Sequence, residues 1–281
     1  MPRCGGVKAR LAIEVLDIGE SESRISFRGR PADQLLNRGG PIPRGIIAFG
    51  VERNEHVRCI QIMVKGTVEL SALQFLPERL SLKSLREASR GCQGCPLFQN
   101  ATQTVFGQGS RSSRIILIGE QPGNDEDLKG EPFVGPAGRV LDQALEAAGI
   151  DRGDTYVTNV VKHFKWEPKG KRRMHKKPNA REIAACIPWL EKEIELIKPE
   201  VLVCLGATAA QALLGRDFRV TVDHGKILDT RLASHAIATI HPSAVLRQRT
   251  AEDRERELRT LTQDLGVVAA LIDGRVRQRR Q

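Results

Sequence analysis

Apolar positions along the chain gather into short solid runs separated by stretches of helical spacing. Ile115-Ile-Leu-Ile118 is four apolar residues without alternation, broken at Gly119, which reads as a strand buried on both faces. Thr155–Val161, Val201–Leu205 and Ala236–Ile240 read as further strands. Between them the period changes. Val140, Leu141, Leu145 and Ala148 mark one face of a helix over Gly138–Gly149 with a glycine stop. Helices are likewise expected over Ala180–Leu196, Gly206–Gly215 and Glu252–Ile272. Upstream, Ser81 stands as a cap before Leu82 and Leu85, so a helix should run to Gly91. Residues 218–228 look like a hairpin. Strands alternating with helices predict an α/β fold with a mostly parallel sheet.

The first 75 residues do not share this order. They scatter Gly, Arg and Pro around two strand-like patches, Leu11–Val15 and Ile60–Val64. We expect 1–75 to be a poorly defined N-terminal extension rather than a second catalytic domain, and a misassigned start codon would also explain it. Residues 76–273 form the main domain and 274–281 a basic tail. With 281 residues, 40% hydrophobic and 28% charged, the chain can bury one good-sized core. No apolar run approaches bilayer length and the amino terminus lacks the order of a signal peptide, so a cytoplasmic protein with no membrane partner is expected. A net charge of +10 favours a polyanionic partner.

Candidate chemistry clusters at the strand ends. Glu120 follows the first strand, where open α/β sheets bind ligands, and Pro122-Gly123 and the Gly/Pro corners at Gly130-Glu-Pro132 and Gly135-Pro136 follow it. Phe133 is an apolar residue in a loop with no period to bury it. Asn159, near the end of the second strand, offers a donor and an acceptor together, as reading a pyrimidine edge requires, although such a residue is also a common turn former. His241-Pro-Ser243 opens a helix after the last strand and aims His241 at the same crevice. Between 162 and 181, Lys162, Lys165, Lys169, Lys171, Arg172, Arg173, Lys176, Lys177 and Arg181 face one acid, Glu167. This stretch reads as a long exposed insertion that touches phosphates, with His175 adding to a basic surface. Of six cysteines, Cys92 and Cys95 form a Cys-x2-Cys knuckle, Cys186 lies on a helix and Cys204 closes a strand. Without a second knuckle, four thiolates on an iron–sulfur cluster fit better than zinc, and ordinary buried cysteines at 186 and 204 are the alternative.

Taken together, Gly119-Glu-Gln-Pro-Gly123, Pro132-Phe-Val-Gly-Pro-Ala-Gly138, Val157-Thr-Asn159, His241-Pro-Ser243 and the four cysteines resemble the uracil-DNA glycosylase superfamily, in particular its iron–sulfur family 4 branch. Lys171-Arg-Arg-Met-His175 resembles the Lys-Arg-Arg-Ile-His hallmark of the UdgX group. The resemblance covers about 76–273 and leaves 1–75 unexplained. It implies a three-layer α/β/α sandwich, a [4Fe-4S] cluster on Cys92, Cys95, Cys186 and Cys204, and uracil-containing DNA, including single-stranded DNA, as partner of a monomer. It implies uracil stacked on Phe133, read by Asn159, with Gln121 and Gly123 also against the substrate and Arg247 holding the flipped strand. His241 would stabilise the departing base and Glu120 the sugar cation. His175 would attack the anomeric carbon and leave the protein covalently joined to DNA. Lys162, Lys171, Arg172, Arg173 and Ser243 are expected at the DNA backbone. Competing expectations are a turnover glycosylase that releases abasic DNA and a non-catalytic iron–sulfur DNA-binding module. Two positions depart from the group: Asn124 stands where aspartate is usual, and an amide cannot serve as a general base; Met174 replaces isoleucine at similar volume.

Overall fold

The computed structural model describes residues 71–274 in full and, before them, the backbone of four strands. Two compact units divide the chain, Met1–Thr67 and Val68–Gln281. In the first, β1 (Ala12–Leu16) pairs antiparallel with β2 (Arg24–Arg28), and β3 (Ile47–Arg53) with β4 (His56–Ile62). The two expected strand patches overlap β1 and β4. The tail beyond 274 lies outside the described residues.

Packing of the second unit begins upstream of residue 76. Ala72, in a 3-10 turn over Ala72–Phe75, is fully buried in the core. Helix α1 (Leu82–Ser89) starts at Ser81, whose hydroxyl accepts from the Ser84 N–H as the sequence led us to expect. The central sheet contains β5 (Ile115–Gly119), β6 (Thr155–Asn159), β9 (Val201–Leu205) and β10 (His235–Thr239) in the order β10-β9-β5-β6, and every pairing is parallel. Their alternation splits the core in two. Ile116, Ile118, Leu202, Cys204, Ala236 and Ala238 face α1, α4 (Ala180–Ile197) and α5 (Ala207–Leu214); Ile115, Leu117, Val201, Val203 and Ile237 face α3 (Pro136–Ala147) and α8 (Ala251–Ile272). Helices thus cover both sheet faces, giving three layers. Among the described residues no helix is long and apolar enough to cross a membrane.

Two expectations on local structure fail. The stretch 218–228 is not a hairpin: it carries the short helix α6 (Val220–Asp223), and Leu228 alone bridges to Ala236. Residues 162–181 are not a loose insertion. Val161–Phe164 are buried, and β7 (Trp166–Lys169) and β8 (Arg172–His175) make an antiparallel hairpin around Gly170. The helical period was absent because a two-stranded ribbon with one exposed face carries the segment. A short helix unforeseen from sequence, α2 (Asn124–Lys129), follows the first strand, and α7 (Ser243–Arg247) follows the last.

Candidate active site

Sheet order places a crevice where parallel α/β sheets hold ligands. From β5 the chain goes to β6 on one side and then returns to β9 on the other, so the loops after β5 and β9 diverge and leave a gap between them. A cavity of about 600 Å³ opens there, lined by the residues after β5, β6, β9 and β10, by Phe133 and by the hairpin residue His175. Glu120, Asn159 and His241 therefore come together, as the strand ends implied.

Glycine makes the floor possible. A Cβ on Gly119 would lie 2.4 Å from Asn159 Oδ1 and 2.8 Å from the Phe133 ring. Phe133 has φ 57°, and a Cβ on Gly138 would lie 1.7 Å from its carbonyl oxygen. That left-handed bend turns the ring inward, 6.2 Å from His241 and nearly parallel to it. Glu126, which sequence reading missed, spans the two loops: Oε2 accepts from the Gly123 N–H at 3.0 Å and Oε1 from the Gly135 N–H at 2.8 Å.

Both oxygens of Glu120 are engaged. Thr208 at the start of α5 donates its hydroxyl proton to Oε2, and His175 Nε2 lies 3.4 Å from Oε1. Thr208 had carried no sequence signal beyond following a strand and glycine turn. For His241 the proton can be placed. The Ser243 N–H donates to Nδ1 at 3.1 Å, so Nδ1 is the acceptor and Nε2 carries the hydrogen. Burial, then the charges of Arg247 and His175, pulls this histidine down to about 4, so it is neutral at physiological pH. Ser243 Oγ lies 2.7 Å from Nδ1 and accepts from Arg247 Nη1 at 2.8 Å. Its hydroxyl therefore orients two residues of the site, whereas sequence reading placed it at a phosphate.

Four other expected contacts sort differently in space. Lys171 and Arg172 are exposed at the hairpin turn. Lys162 and Arg173 are not available to phosphates. Lys162 is fully buried, with its ammonium on Glu193, Thr158 and the Asn159 carbonyl. Arg173 turns inward to Asp127 at 2.6 Å, donates to Asn124 Oδ1 at 2.9 Å, and lies over the rings of Phe164 and Trp166. Position alone made both look like surface charge, because their acidic partners stand far off in sequence. Gln121 lines the crevice, but its amide links the hairpin base, accepting from the Lys165 N–H and donating to the Lys165 and Lys176 carbonyls.

The cysteines lie beneath, in the core on the α4 side. Burial raises Cys95, with Cys92 adding to it, and burial lifts Cys186 to about 12, with Cys95 and Cys92 adding less. The Trp189 N–H donates to Cys92 Sγ at 3.3 Å and the Lys162 backbone N–H to Cys186 Sγ at 3.2 Å. Cys204, in the same core, is raised by burial alone. Beside the donor to Cys186, His163 is buried, is pulled down to about 4 mainly by burial, and has an Nδ1 with no hydrogen-bond partner. Among the described residues no three His, Cys, Asp or Glu side chains converge on one ion. A zinc site would need ligands about 2.3 Å from a single centre. A cluster binds each ligand through a different iron, so buried thiols with N–H donors and an orphaned imidazole fit it better.

Glu120, Phe133, Asn159 and His241 thus share one crevice at the switch point of an open parallel sheet. The chain belongs to the uracil DNA glycosylase superfamily, whose model matches residues 106–266. It is 40% identical over 174 residues to the type-4 uracil-DNA glycosylase of Thermotoga maritima, covering 62% of this chain and 87% of that one. Its identity to the type-4 enzyme of Pyrobaculum aerophilum is 38% over 176 residues, 60% and 86% of the two chains. With a type-5 enzyme of Thermus thermophilus it shares 33% over 170 residues, 53% and 72% of the two chains.

Proposed function

We propose that this protein excises uracil from DNA, single-stranded DNA included, and is then captured by the resulting sugar through His175. The observation that carries the reading is the pairing of His175 Nε2 with Glu120 Oε1 at the crevice rim. A uracil flipped out of its strand stacks on Phe133 and presents its pairing edge to Asn159. As the C1′–N1 bond breaks, the electron pair leaves with the base. His241 donates its Nε2 hydrogen to the base oxygen that gains charge, and Glu120 opposes the positive charge of the sugar. Glu120 then takes the Nε2 proton of His175, whose lone pair closes on C1′. The products are an N-alkylated imidazole and uracil, which regains its proton from the solvent. Asn124 performs no proton transfer here; it lies outside the cavity lining and holds Arg173.

Lys171, Arg172 and Arg247 meet the DNA backbone, and Lys177, on the cavity wall, joins them. Cys92, Cys95 and Cys186, with His163 as fourth ligand in place of Cys204, would hold a [4Fe-4S] cluster, which would tie the knuckle, the turn after β6 and α4 together. The test is a uracil-containing single-stranded oligonucleotide run with the protein on a denaturing gel. A slow band stable to heat and detergent supports capture, alkali-labile free DNA supports turnover, and unaltered DNA supports a binder. His175→Ala should abolish the band; a band formed at the wild-type rate by that variant would falsify the assignment.

A further inference from the structure

Lys162 and Glu193 are an ion pair sealed in the core, with side chains 1% and 0% exposed. Burying two charges rarely stabilises a fold more than apolar residues of the same volume would. Nζ donates to Glu193 Oε2 at 2.5 Å, to Thr158 Oγ1 at 2.6 Å and to the Asn159 carbonyl at 2.8 Å, which uses all three of its protons. Glu193 is equally occupied: Oε1 accepts from the Tyr156 hydroxyl at 2.8 Å and from the Gly107 N–H at 3.0 Å.

The third of those bonds reaches the crevice. Asn159 pairs with Gly119 as the last step of the β5–β6 ladder. Among the described residues its side-chain amide has no hydrogen-bond partner, so the amide's position is inherited from its backbone. That backbone is held on both sides of one peptide: the Val160 N–H donates to the Gly119 carbonyl at 2.9 Å, and the Asn159 carbonyl accepts from Lys162 Nζ. Edge reading of a base tolerates about 0.5 Å of displacement. We propose that Lys162, seated by Glu193, is a positioning residue for Asn159 and so sets how well the crevice reads the uracil edge without touching the base. This rests on Asn159 being the base reader.

The test uses the full-length protein with Lys162→Met and Glu193→Gln combined. The substitution leaves no unpaired buried charge, and a glutamine oxygen can still accept from Tyr156 and Gly107. Expected are an unfolding temperature and visible absorbance close to wild type, half-saturation by DNA within about twofold, and a limiting rate of uracil release lower by about tenfold or more. The deciding readout is a cycle with Asn159→Ala: if Lys162 acts through Asn159, adding the pair of substitutions to Asn159→Ala slows release no further. Additive losses, or wild-type release by the double variant beside a slow Asn159→Ala, overturn the proposal. Wild-type release by Asn159→Ala alone removes the base-reading role itself, and the proposal with it. Should the double variant fail to fold, Thr158→Val loosens the seat of Nζ while keeping the ion pair, and must show a smaller loss with the same non-additivity.

Discussion

Glu120 shows how a site is assembled at single-residue scale: a carboxylate held on one oxygen by Thr208 leaves the other directed at His175. Thr208→Val should therefore slow uracil release by about tenfold through misplacement of Glu120, whereas Thr208→Ser, which keeps the hydroxyl, should stay near wild type. Equal rates for the two variants in single-turnover assays would remove Thr208 from the account. His241 makes a pH prediction. An ordinary histidine charges near 6.5, but burial brings this one to about 4. In a His175→Ala background, where the second imidazole of the crevice is gone, uracil release should pass through pH 6.5 undiminished and fall only towards pH 4. Stability follows the same sign. Between about 6.5 and 4 the unfolded chain binds a proton that His241 refuses when folded, so stability is lost as pH falls through that window. A melting temperature that rose on acidification would contradict this.

At the scale of elements, the β7–β8 hairpin carries His175 to the crevice, and Arg173 pins it. Its guanidinium joins the hairpin to Asp127, which is fully buried and also accepts from the Thr102 N–H and hydroxyl. Removing the cation from such a pair costs roughly 3–5 kcal/mol at most, since Thr102 still serves the carboxylate. Arg173→Met should thus lower the unfolding temperature. It should also slow adduct formation by about tenfold or more while uracil release changes less, because the strand-end residues stay in place. Equal slowing of both steps on the gel would mean that the hairpin serves excision as much as capture. Lys171→Ala or Arg172→Ala, at the exposed turn, should leave stability alone and reduce the salt dependence of DNA binding by about one contact each.

For the whole molecule, the cysteine corner lets core and cofactor be tested together. The purified protein should be brown, and Cys92→Ser, Cys95→Ser or Cys186→Ser should each lose iron and unfold at lower temperature, since cluster binding is coupled to folding. His163→Ala should behave like them and Cys204→Ser should not, as measured by iron content and visible absorbance. The reverse pattern would return the fourth position to Cys204. Stoichiometric zinc with full activity would dispose of the cluster.

Much of this was already written along the chain. Four short strand-like runs and the helical stripes between them pointed to a parallel sheet between helices, because each run is too short for a helix and the helical stripes alternate with them. Residues at the strand ends, Glu120, Asn159 and His241, followed from that, since the ends of parallel strands share one edge. Tertiary structure decided what the sequence could not, namely which charges face inward. Lys162 and Arg173 sit in a run of cations and look like their neighbours until Glu193 and Asp127, 31 and 46 residues away, are brought against them. Thr208 and His163 were silent for the same reason: a hydroxyl after a glycine turn and a histidine in a basic stretch acquire a role only from what folding places beside them. Local pattern fixes which face of an element is apolar, while partnership between polar groups depends on contacts between residues far apart in the chain.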